Sequence, residues 1–237
     1  FLALLLIFNF GYAGWRRVTR DRAPSPEGES SPPGLLWTGV FILALALVTY
    51  LWRMIIPMGK DVLGFPTLSY LPQYLSFFIL GTVAYRRDWL RTIPGSMGVA
   101  GFVVAIAASL FFFPLAVSGS LFSLEFAEPA LWLGGGTWQS GSYALWDSTF
   151  AVGMSVATLT FFRRFFNKKS ALGTFLAQQS YAVYLIHVPI IVFIGIALAG
   201  IDLAALAKFV LVSIIVIPVC YAAAWLIRKI PGVSKVI

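Results

Sequence analysis

Residues 138–164 read WQSGSYALWDSTFAVGMSVATLTFFRR, and this stretch decides the fold class. From Trp138 to about Phe162 it exceeds the roughly 20 residues that a helix needs to cross a bilayer at 1.5 Å per residue. It closes on the basic doublet Arg163-Arg164. Working outward in both directions, the same punctuation recurs after every second apolar run: Arg16-Arg17, Arg86-Arg87 and Arg228-Lys229. Lys and Arg gather on the cytoplasmic side of membrane proteins. The ladder therefore predicts seven spans, with the first residue of the chain outside and the carboxyl end in the cytoplasm.

The composition agrees. The 237 residues are 59% hydrophobic and 11% charged, with a mean hydropathy of +0.89. Soluble domains carry about 25% charged residues. An all-α, polytopic transmembrane helical bundle is the expected fold, with residues 1–237 as one membrane domain. The net charge of +8 does not point to nucleic acid, because fourteen of the 17 basic residues fall on one face of the ladder. The lipid bilayer is the expected partner, its anionic headgroups facing that side. One Cys and one His make no zinc or haem site, so neither a metal nor a bound cofactor is expected.

The spans are expected at Phe1–Ala13, Leu35–Trp52, Leu68–Tyr85, Met97–Val117, Trp138–Phe162, Ser180–Ala199 and Ala204–Ile227. Residues 21–34, rich in Pro, Ser, Gly and Glu, form a flexible cytoplasmic linker. The external segment 118–137 is apolar enough to lie in the outer interface or fold over a pocket.

Ionisable groups at membrane depth usually face the bundle interior or a wet cavity, so the few present are the candidate site. His187 lies about ten residues, roughly 15 Å, into its helix. Ser180, Tyr184 and His187 share one helical face and predict an inward polar seam. An imidazole there would carry a proton or bind substrate; it would equally serve as a neutral structural donor. On residues 138–162, Ser140, Tyr143 and Asp147 share a face. Asp147 would orient a base, bind hydroxyls or pair with Arg53 or Lys208, which sit at comparable levels. Arg53 would snorkel to lipid phosphate or contact a substrate anion. Gln73 could line the same outer cleft. Trp132, Trp138 and Trp146 read as interface-belt residues, or as rings that stack on a sugar.

Several segments resemble acyltransferase family 3 membrane proteins. They are the opening Phe1-Leu-Ala-Leu-Leu-Leu-Ile-Phe, Leu71-Pro-Gln-Tyr through Arg86-Arg87-Asp-Trp-Leu90, Ser180-Tyr-Ala-Val-Tyr-Leu-Ile-His187, and Ile227-Arg-Lys-Ile-Pro231. The look is nearest to the branch that includes the periplasmic glucan succinyltransferase. The resemblance implies a bacterial inner-membrane enzyme of about ten helices that moves an acetyl or succinyl group from cytoplasmic acyl-CoA to a hydroxyl of an extracytoplasmic glycan. Arg86, Arg87, Arg163 and Arg164 would meet the phosphates of CoA. Trp138 and Tyr143 would join Arg53, Gln73, Ser180 and Tyr184 as substrate contacts, with His187 and Asp147 as catalytic candidates. The family's main catalytic histidine lies on a first helix that this chain lacks. About three preceding spans are thus expected, and the fragment is expected to be inactive alone. A secondary transporter or flippase for a polar solute or lipid is the competing reading.

Overall fold

A computed structural model describes residues 2–19, 31–62, 68–120, 125–167 and 170–230. Among these the structure is helical: α1 (Leu2–Thr19), α2 (Leu35–Ile55), a 3-10 turn (Leu68–Tyr70), α3 (Leu71–Arg86), α4 (Trp89–Thr92), α5 (Gly95–Val117), α6 (Pro129–Trp132), α7 (Trp138–Phe165), α8 (Ala171–Ala197) and α9 (Ala205–Arg228). The seven long helices follow the expected spans in order. Four of them, α2, α5, α8 and α9, are long and apolar enough by themselves to cross a membrane. The other three depart for visible reasons. Helix α3 has 16 residues, α1 carries Arg16 and Arg17 in its last turn, and α7 is laced with Gln, Ser, Thr and Asp.

The chain divides into two compact units, Phe1–Asn167 and Lys168–Ile237. In the first, α7 is the central helix and packs most extensively on α5, then on α2. Its buried face runs Gln139, Ser140, Ala144, Ser148, Thr149, Val152, Gly153, Ala157 and Thr160. The core is built of small residues, including Ala105, Ala108, Ala116 and Ala144, whereas Leu43, Leu47, Phe102 and Phe111 point outward. Lipid is as apolar as leucine, so large side chains gain nothing by turning inward, and close backbone packing takes over. Gly101 and Gly153 mark the α5–α7 crossing, where each backbone lies against the other.

Three rungs of the charge ladder come to one end of this unit. Helices α1 and α3 run alongside each other: Phe8 and Tyr12 stack on Phe78, and Arg16 shares a cleft with Arg86 and Arg91. At the end of α7, the Arg163 guanidinium donates to the carbonyls of Leu90 (3.1 Å) and Ile93, which close α4. Lys168, Lys169 and most of the linker 21–34 lie outside the described residues.

Thr137 caps α7. Its hydroxyl accepts from the Ser140 N–H at 3.2 Å and donates to the Leu131 carbonyl. Removing an N-cap hydroxyl costs about 0.5–2 kcal/mol. Thr137→Ala is expected to fall at the upper end, because the hydroxyl also fastens α6, and thermal unfolding in detergent would read it.

In the second unit, α8 begins at Ala171, nine residues before the expected start of its span. The residues before Ser180 are helical and continuous with the span, opened by a Ser170 side-chain cap on Gly173 N–H. Helices α8 and α9 pack as a hairpin, tied at one end by Arg228 on the Gln178 carbonyl (2.6 Å). At the other end Lys208 donates to the Ala199 and Ile201 carbonyls.

Candidate functional site

The last turn of α2, the 3-10 turn with the head of α3, and the first half of α7 meet at the end of the first unit opposite its basic cleft. The Trp52 indole N–H donates to the Leu68 carbonyl (2.9 Å) and holds the 3-10 turn against α2. The Tyr50 hydroxyl donates to the Gly136 carbonyl (2.8 Å), and the Met58 N–H to the Leu133 carbonyl (2.8 Å). The segment leading into α7 is therefore fastened over the end of α2.

Arg53 lies at the middle of this junction. Its side chain is 0% exposed, and its Nη2 donates to Asp147 Oδ2 at 2.6 Å. Gln73, also buried, donates its Nε2 to the same oxygen at 2.9 Å. The rings of Tyr70 and Tyr143 lie 4.9 and 5.5 Å from the guanidinium carbon. Tyr143 continues into an aromatic row, with Trp132 at 5.2 Å and Trp146 at 5.1 Å. The Trp146 N–H reaches Ser109 on α5 at 3.0 Å, so this ring makes a helix–helix contact. Trp138 is 43% exposed.

Four residues singled out one by one in the sequence, Arg53, Gln73, Tyr143 and Asp147, thus form one cluster. Arg53 does not snorkel. The antiparallel packing of α7 on α2 sets a carboxylate against it, and a buried charge is tolerable only with such a partner. Lys208, the other partner considered for Asp147, is engaged with the carbonyls of its own hairpin. Tyr70 escaped the sequence reading, although it sits three residues before Gln73, at helical spacing. The buried hydroxyls of Thr49, Ser69 and Ser148 escaped too, and they join Ser140, already expected on the face of Tyr143 and Asp147. They ride on the same turns, and none has a hydrogen-bond partner among the described residues.

The remaining candidates lie elsewhere. Arg86 lines a cleft of about 990 Å³ with Arg16, Arg91, Asp88, Tyr12 and Tyr85. Arg87 stacks on Trp89 and Arg164 on Phe165. Arg163 is committed to backbone carbonyls. In the second unit, His187 and Tyr184 are ring neighbours at 5.7 Å, and His187 Nδ1 lies 2.6 Å from the Tyr184 carbonyl. A carbonyl only accepts, so Nδ1 is the donor in this contact. Ser180 and Tyr184 are exposed, and the Ser180 hydroxyl donates back to the Leu176 carbonyl at 2.8 Å.

In chemical terms, the Arg53–Asp147 centre is a neutral pair. Both donors, Arg53 Nη2 and Gln73 Nε2, fall on Asp147 Oδ2. What the centre offers a ligand is N–H and O–H groups.

A model of the acyltransferase domain, Acyl_transf_3, matches residues 1–225. The chain belongs to acyltransferase family 3. The match runs through both compact units and includes every residue of the Arg53 cluster as well as His187. No curated protein and no solved structure matches the chain. In this family 3 acyltransferase, the polar residues that lower the apolarity of α7 are those that build its buried centre.

Proposed function

We propose that the chain forms part of a bacterial inner-membrane O-acyltransferase. It would move an acyl group of acetyl or succinyl type from cytoplasmic acyl-CoA to a hydroxyl of an extracytoplasmic glycan. The basic end of the first unit would face the cytoplasm, as would the carboxyl end of the chain, with the first residue outside.

The observation that carries this reading is the placement of two unlike sites at opposite ends of the first unit, with α3 running from one to the other. A cleft with three arginines suits the phosphates of a CoA donor. The Arg53–Asp147–Gln73 centre, with its hydroxyls and aromatic rings, suits an oxygen-rich group. At the basic end, next to that cleft, lies an apolar chamber of about 300 Å³ whose walls include Trp37, Phe41, Gly81, Trp89, Ile93 and Leu159, and Phe77, Val152 and Ser155 deeper in the unit. Phe77 and Gly81 come after Gln73 at helical spacing, and Ser155 comes eight residues after Asp147, about 12 Å along the helix. The chamber thus opens the basic end toward the same stretches of α3 and α7 that carry Gln73 and Asp147 further along. Acyl transfer itself needs a base for the acceptor hydroxyl and donors for the oxyanion.

The full-length protein in proteoliposomes is expected to move label from acyl-CoA, supplied on the basic side, to glycan on the other. His187→Ala is expected to abolish that transfer while the protein still expresses; full activity would reduce His187 to packing. One feature favours a transporter. Pro189 interrupts the hydrogen-bond ladder of α8 beside His187, as in broken transport helices. Solute counterflow without acylation would establish that reading instead.

A further inference from the structure

We propose that Arg53 is the group that holds the acyl carbonyl oxygen as it becomes an oxyanion; this rests on the acyl-transfer reading above. The Arg53 side chain is completely buried, and Asp147 takes an N–H from Nη2 alone. Nε and Nη1, with three N–H bonds between them, have no partner among the described residues. A guanidinium is a strong, permanently charged donor, and buried N–H groups are nearly always paired. Here the rings of Tyr70 and Tyr143 wall the group, and the buried hydroxyls of Thr49 and Ser148 on adjoining turns also lack partners. Three N–H bonds of a buried guanidinium are thus left for an oxygen acceptor.

Charge decides which oxygen. Arg53 and Asp147 already sum to zero. A permanent anion, such as a carboxylate, would leave a buried excess negative charge and compete with Asp147 for the same cation. Such burial is strongly unfavourable. A thioester carbonyl enters without charge. Its oxygen becomes negative only as the acceptor attacks, when each N–H bond to it strengthens. Donors that bind the transition state more tightly than the ground state are what accelerates the chemical step.

Atoms and electrons balance in this step. A lone pair of the acceptor hydroxyl forms the new C–O bond to the acyl carbon, and the carbonyl π pair moves onto oxygen, facing Arg53. The hydroxyl proton passes to a neutral base outside the cluster, for which an imidazole has the right range. The carbonyl then re-forms, and the C–S bond breaks with its electron pair on sulfur. Sulfur takes the proton from the base, leaving an ester and a thiol. Arg53 touches the reacting atom and is catalytic in this scheme. Asp147 and Gln73 are positioning residues that fix the guanidinium.

The test uses the full-length protein with labelled acetyl-CoA, labelled succinyl-CoA and a linear glucan oligosaccharide. Arg53→Lys keeps the charge opposite Asp147 but loses the planar set of donors. Its kcat is expected to fall about 10²–10³-fold with KM for either donor within about threefold of wild type. A raised KM with unchanged kcat would show an anion-binding role and overturn the proposal, as would wild-type kinetics. Should the Lys variant not be recovered, the charge-free pair Arg53→Met with Asp147→Leu must show the same loss of kcat in a folded protein. On the wild type alone, added acetate or succinate should leave the unfolding temperature unchanged; a saturable rise with either carboxylate would also overturn it. A wild-type protein that transfers no label removes the acyl-transfer reading and Arg53's role with it. Transfer that is intact in Arg53→Lys sinks the role of Arg53 alone.

Discussion

Asp147→Ala is expected to be the most damaging single substitution in the first unit, costing about 3–5 kcal/mol of stability. The Arg53 guanidinium is 0% exposed and has Asp147 as its carboxylate partner. Removing that partner leaves a full charge buried between two tyrosine rings, and it strips the Gln73 amide of its acceptor. At roughly 2–4 °C per kcal/mol for a chain of this size, the unfolding temperature in detergent should drop on the order of 10 °C. The companion experiment separates charge from packing. Arg53→Met with Asp147→Leu removes both charges at similar volume, and such replacements are often neutral or stabilising. The double variant is expected to recover most of the lost stability and none of the activity. An unfolding temperature unchanged in Asp147→Ala would show that Arg53 reaches water or lipid phosphate after all.

Gly101→Val is expected to cost about 2–4 kcal/mol, through helix separation and not through any polar loss. A Cβ at Gly101 would stand 2.7 Å from the Gly153 carbonyl oxygen, and one at Gly153 would stand 2.5 Å from the Gly101 oxygen. The obstacle in both cases is backbone, which no rotamer change relieves. The two helices would have to part along the most extensive contact of the unit. Small residues are what let membrane helices approach, so the loss is of packing that lipid cannot replace. Gly39→Ala in α2 is the control, because nothing lies within 4 Å of its Cβ position. That variant should hold or slightly raise the unfolding temperature, since alanine favours helix over glycine. A fall as large as that of Gly101→Val would mean that backbone entropy, and not the crossing, is being read.

Much of the helix order was legible in advance. The long apolar runs end where hydrocarbon must end, and doublets such as Arg86-Arg87 and Arg163-Arg164 mark those ends directly. The first residues of α8 were harder. The stretch from Ala171 to Gln179 is less uniformly apolar than the rest of the helix, yet the Ser170 cap lets one helix run through both. In the site, Arg53 and Asp147 stood out because ionisable groups at membrane depth are few. Tyr70 did not, because a tyrosine at the head of an apolar run is ordinary in any membrane protein. The three residues Ser180, Tyr184 and His187 share a face by spacing, but spacing does not say where a hydroxyl turns. Ser180 found its own backbone one turn earlier, a satisfaction available to any helical serine.

The sequence by itself determined the all-α class, the order of the long helices and the basic punctuation at their ends, and it carries the family match. These are properties of composition and of short runs, readable one segment at a time. Only the tertiary structure decided that Asp147 meets Arg53 and Gln73, across sequence separations of 94 and 74 residues. A helix that is apolar on nearly every side shows no preferred face in its sequence, because lipid and core are equally apolar. Its rotation about its own axis is set by where the small residues of its neighbours allow close approach. At the α5–α7 crossing that place is Gly101 against Gly153, and with it comes the face on which Asp147 is carried inward.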